Sequence, residues 1–105
     1  MIPIIPKPKM NKTEARYADQ LEHMKRAGVI INYRFDALNF RLAPKTYYRP
    51  DFLVVFDHEF QIHEVKGFWK DDALVKFKVA ADMYPWFRWK AVQWIKGEWV
   101  FRHQN

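Results

Sequence analysis

Two stretches decide how this chain folds: Pro50-Asp51-Phe52-Leu53-Val54-Val55-Phe56, and Phe60-Gln61-Ile62-His63-Glu64-Val65-Lys66, closed by Gly67. The first is almost continuously apolar after its opening aspartate, the pattern of a strand covered on both faces. Asp57-His58-Glu59 suits a turn, so the second stretch reads as the returning strand. Residues i and i+2 of a strand point to one face, so Glu64 and Lys66 share a side while His63 and Val65 face away. The antiparallel return sets the start of the first strand beside the end of the second. Asp51, Glu64 and Lys66 are thereby expected at one edge of an otherwise apolar sheet.

Working outward, Asn11 or Thr13 can cap a helix that carries Glu14 in its first turn. Tyr17, Leu21 and Met24 fall at helical spacing, and Gly28 stops the helix after Lys25 and Arg26. Between Ile30 and Leu42 apolar and polar residues alternate imperfectly, as in a strand or hairpin, and Ala43-Pro44-Lys45 punctuates the pattern. Residues 71–84 form a second helix with Ala73, Leu74, Phe77, Ala80 and Ala81 inward, and Pro85 stops it. A strand over 86–95, a turn at Lys96-Gly97-Glu98 and a short strand over 99–102 complete the chain. The order α-β-β-β-α-β-β predicts an α/β domain over 11–105: a mixed central sheet flanked by helices. Residues 1–10 precede it as an extended arm, with three prolines in the first nine positions.

Composition narrows the function. A chain of 105 residues makes one domain, and 50% hydrophobic with 18% aromatic content excludes a disordered tail. The absence of cysteine excludes a disulfide scaffold, an iron–sulfur cluster, a thiolate zinc site and a cysteine nucleophile. No apolar run reaches the roughly 18 residues of a membrane span, so a cytoplasmic protein without membrane association is expected. Eighteen Lys and Arg against twelve Asp and Glu give a net charge of +6 and bias the domain toward nucleic acid.

Two carboxylates at one point repel, and a divalent cation resolves the repulsion. Mg²⁺ prefers one or two carboxylates and keeps several waters, which leaves room for a phosphate oxygen and an attacking water. Lys66 beside them can orient or deprotonate that water and offset developing negative charge. Glu14 is the natural fourth member if the first helix packs at the same edge.

Pro50-Asp51 followed by Glu64-Val65-Lys66 resembles the PD-(D/E)XK nuclease superfamily. Asn11-Lys12-Thr13-Glu14-Ala15-Arg16-Tyr17, Tyr48-Arg49-Pro50-Asp51-Phe52, His63-Glu64-Val65-Lys66-Gly67 and Tyr84-Pro85 look like a group of small phage and prophage nuclease-like proteins. The likeness covers about residues 11 to 95. It implies a restriction-endonuclease-like fold and hydrolysis of DNA phosphodiesters to leave 5′-phosphates, with Mg²⁺, or Mn²⁺ in its place, and no small-molecule cofactor. Carried over by position, Asp51, Glu64, the Val65 carbonyl and Glu14 would hold the metal, and Lys66 would serve the nucleophile. The order Glu, Asp, Glu, Lys also resembles Holliday-junction resolvases, which points to branched DNA, to phage recombination or replication inside a bacterial host, and to a two-fold homodimer. The competing reading is a nucleic-acid-binding module that keeps the fold without catalysis.

Lys12, Arg16, Arg49, Lys70 and Lys76 are candidate phosphate contacts, Lys70 for its place in the loop after the active strand. His63 is expected to pack or hydrogen-bond rather than ligate. The five tryptophans read as core or dimer surface, except Trp69, whose loop position leaves it open for stacking on a base.

Overall fold

The structure, a computed structural model, describes residues 9–104. The expected arm lies outside the described residues except for Lys9, which is exposed, and Met10, which packs beside the first helix. That helix, α1 (Lys12–Arg26), is started by Asn11. The Asn11 side chain accepts from the Glu14 N–H at 2.8 Å, and the Glu14 carboxylate accepts from the Asn11 N–H at 2.8 Å. This reciprocal capping box satisfies two of the helix's orphan donors. Lys25 and Arg26 in the last turn complement the helix dipole.

Seven strands follow: β1 (Asn32–Phe35), β2 (Phe40–Ala43), β3 (Thr46–Tyr48), β4 (Phe52–Val55), β5 (Phe60–Lys66), β6 (Arg88–Ile95) and β7 (Glu98–Gln104), with α2 (Asp71–Met83) between β5 and β6. The order is therefore α-β-β-β-β-β-α-β-β, which corrects the expected one. The single element expected over 30–42 divides in two where Asp36 takes φ 54°, and the next turn has Lys45 at φ 60°. Left-handed residues reverse or break an extended chain, and here they separate β1 from β2 and β2 from β3.

β1, β4, β5, β6 and β7 form one sheet in that spatial order, while β2 and β3 form a separate hairpin. β4 and β5 are antiparallel with Phe52 opposite His63 and Val55 opposite Phe60. β5 and β6 are parallel, joined through α2, and β7 returns antiparallel to β6. The mixed sheet has a core on each face. Tyr17 and Leu21 of α1 pack on Phe52, Val54, Val65 and Val92, and Phe77, Ala80 and Ala81 of α2 pack on Ile62, Trp89 and Ala91. Phe40 and Tyr48 bring the hairpin onto the α2 face. No helix among the described residues is long and apolar enough to cross a membrane.

Trp69, which its loop position left open, belongs to the core. It is 8% exposed, joins the α2-side core and donates its indole N–H to the Val92 carbonyl at 3.0 Å. The loop that carries it folds back onto the sheet. Trp86, after α2, is instead 78% exposed.

Candidate active site

The parity of β5 fixes the site. Ile62 and Glu64 face the α2 side, and His63 and Val65 face α1. Glu64 is 5% exposed, which demands a partner. The hydroxyl of buried Tyr48, in the hairpin, donates to its Oε2. The Asp51 carboxyl, just before β4, accepts from the Val65 N–H at 2.8 Å. That bond fastens the start of β4 to the end of β5, as the antiparallel return requires.

Asp51 lies within hydrogen-bonding reach of both Glu64 and Glu14. The three carboxyls therefore run as a chain, Glu14 to Asp51 to Glu64. Burial, and then the neighbouring Glu64, push the Asp51 carboxyl up to about 8. Glu14 is also raised, chiefly by burial and further by Asp51, while its bond from the Asn11 N–H and the charge of Lys66 work in the opposite direction. Lys66 is half-buried and pairs across the sheet with Gln93 of β6, whose amide donates to the Gly67 carbonyl at 3.1 Å.

The donor set suits a hard divalent cation in its chemistry: three carboxyls, all oxygen donors, beside one lysine. Bonds from Asn11 N–H, Val65 N–H and Tyr48 OH engage one oxygen of each carboxyl and leave the other outside these contacts. Among the described residues no three His, Asp or Glu groups close into a compact cage.

A cleft of about 470 Å³ opens beside Glu14 and Asp51, lined also by Lys9, Asp36 and Arg49 but by neither Glu64 nor Lys66. Arg49 forms a two-pronged ion pair with Asp36, the Nε bond measuring 3.0 Å. The Asp36 N–H in turn donates to the Asp51 carbonyl at 2.7 Å. Of the five expected phosphate contacts, Arg49 thus stands in the cleft. Lys12 and Arg16 flank Glu14 on exposed positions of α1, and the Arg16 guanidinium stacks 4.6 Å from the Trp94 ring centroid. Lys70 and Lys76 are exposed at the start and middle of α2, which packs on the hairpin and β6 rather than on β4.

His63 takes the hydrogen-bonding role expected of it. Its Nε2 faces the side-chain amide oxygen of Gln61 at 2.9 Å and therefore donates, so Nδ1 accepts from the Tyr17 hydroxyl at 2.6 Å. Burial, reinforced by Lys90, pushes the imidazole down to about 3. Sequence reasoning missed Tyr48, Asp36, Lys9 and Gln93. Tyr47 and Tyr48 look alike in sequence, and only the hairpin register separates the exposed one from the buried one.

Comparison of the chain with protein-family models, with curated proteins and with solved structures gives no match in any of the three.

Proposed function

We propose that this protein is a divalent-metal-dependent DNA endonuclease of restriction-endonuclease-like fold. It hydrolyses phosphodiesters to leave 5′-phosphates, selects branched DNA such as a four-way junction, and works as a homodimer. The observation that carries the reading is the approach of the Asp51 carboxyl, just before β4, to Glu14 of α1 and Glu64 of β5, with the charge of Lys66 acting on Glu14.

Asp51, Glu64 and Glu14, with the Val65 carbonyl, would hold Mg²⁺ or Mn²⁺. When bound, the cation polarises the phosphate and acidifies water. The residues of the chain do the rest. Lys66 orients the attacking water and offsets charge gathering on the phosphate oxygens. Tyr48 fixes Glu64, and the Val65 N–H fixes Asp51, so neither carboxylate must reorganise during the reaction. Arg49, held by Asp36 at the cleft, binds a neighbouring phosphate with its exposed face. The net charge of +6 draws DNA toward the site.

The test is incubation of the full chain with a labelled four-way junction, a flap, a single strand and a plain duplex, with Mg²⁺ and with chelator. Mg²⁺-dependent cutting of the junction in preference to the duplex is the expected result. DNA binding without cutting of any substrate, in Mg²⁺ or Mn²⁺, would replace this reading with that of a binding module.

A further inference from the structure

Strand parity gives β6 and β7 an aromatic face toward α1. Val92 packs in the α1-side core, so Lys90 and Trp94, two residues to either side of it, face α1 as well. β7 continues that face, with Trp99 opposite Trp94 and Phe101 opposite Val92. The Trp94 and Trp99 ring centroids are 4.6 Å apart, and Trp99 meets Tyr17 of α1 edge-on at 4.9 Å. Across from these rings α1 presents Lys12, Arg16 and Gln20, exposed and on one stripe of the helix. The Arg16 guanidinium lies over the Trp94 ring.

The groove between α1 and β7 begins next to the carboxyls. Glu14 sits between Lys12 and Arg16 in sequence, and Trp94 follows Gln93, the cross-strand partner of Lys66. From Trp94 the groove runs back along β6 to Lys90, about 13 Å at strand spacing, the length of roughly four stacked nucleotides. There it deepens into a cavity of about 280 Å³ whose walls include Tyr17, Phe56, Trp99, Phe101 and Lys90. Phe101 is 46% exposed, and the Lys90 ammonium stands 5.0 Å from its ring centroid. Among the described residues neither Arg16 nor Lys90 forms an ion pair with a carboxylate.

Cations interleaved with aromatic rings along a groove suit an unpaired nucleic-acid strand, whose bases stack on the rings while its phosphates meet the cations. A duplex hides its base faces in its own stack, so the rings favour the single strand. We propose that the α1–β7 groove binds an unpaired strand of DNA, one base entering the cavity against Trp99 and Phe101 while Arg16 and Lys90 take phosphates. That this strand leads from a branch point into the carboxyl site rests on the nuclease reading; its binding in the groove does not.

Fluorescence anisotropy of a labelled oligothymidylate of about twelve residues, in chelator, tests the groove, with circular dichroism to confirm folding. Phe101→Ala should weaken single-strand binding at least about fivefold and duplex binding less than about twofold. Lys90→Gln should weaken it and lower the salt slope by about 0.7, the share of one single-strand phosphate. Lys78→Gln makes the same charge change on exposed α2 and should alter affinity less than about twofold. A wild type that does not bind the single strand, or affinities indifferent to Phe101→Ala and Lys90→Gln, overturns the groove. So does an equal loss from Lys78→Gln. Groove variants that respond as expected, in a protein that cuts no DNA in Mg²⁺ or Mn²⁺, leave the groove standing and remove the nuclease reading. DNA cutting by a protein whose single-strand affinity ignores both groove variants does the reverse.

Discussion

Above pH 4 the unfolded chain releases the Asp51 proton, but the folded chain keeps it up to about pH 8. The folded state binds more protons over that interval, so without metal its stability falls as pH rises from about 4 to 8. His63 has the opposite sign: held neutral down to about pH 3, it costs stability as pH falls below about 6.5. The two oppose each other below 6.5, and the Asp51 contribution stands out between 6.5 and 8. In chelator, the melting temperature should fall across that upper window, and Asp51→Asn should flatten the fall and raise the pH 8 value by about 5 °C or more. Mg²⁺ should raise the wild-type value in the same window. Identical pH slopes for wild type and Asp51→Asn would show that the carboxyl is not strained by its neighbours. Tyr48→Phe removes the donor to buried Glu64 and should cost about 1–3 kcal/mol in urea denaturation. At this scale the sequence was highly informative for Glu64 and Lys66, because strand parity depends on nothing but position. It was silent on Tyr48, Asp36 and Lys9, whose roles depend on how a separate hairpin and the residues before α1 fold back.

Elements bring the residues together. α1 serves the site through its first turn, where the capping box ties Glu14 to Asn11. Asn11→Ala should destabilise the fold by about 1 kcal/mol through loss of the cap. The Glu14 carboxylate keeps its bond from the backbone N–H of residue 11, which alanine retains, so cleavage by the folded variant should change by less than about twofold. Thermal denaturation measures the lost cap, and a cleavage time course of Glu14→Gln, expected to be slowed at least about tenfold, tests the carboxylate itself; unchanged cleavage by that variant would detach Glu14 from the chemistry. The strongly patterned elements, α1, β4, β5 and α2, were legible from periodicity and their stop signals. The hairpin was not. Strands of three and four residues carry too few alternations to declare themselves, and the turns at Asp36 and Lys45 use left-handed residues other than glycine. Trp69 lies in the core and Trp86 at the surface for a related reason: a loop's proximity in sequence to β5 does not say whether the loop folds inward.

The whole molecule places one acidic edge on a basic domain, with α1 and α2 on opposite faces of a mixed sheet. That layering was foreseeable from the alternation of helices and strands, whereas the strand count needed the register. Under the proposed function, Lys66 would assist the attack on a phosphodiester while the carboxyls near it hold the metal. The most direct measurement is single-turnover cleavage of an end-labelled four-way junction in Mg²⁺ by wild type and Lys66→Ala, with junction affinity measured on the same samples. The account predicts 5′-phosphate products from wild type and, for Lys66→Ala, cleavage slowed by at least about a hundredfold with affinity changed by less than about threefold. Cleavage by Lys66→Ala at the wild-type rate would contradict it.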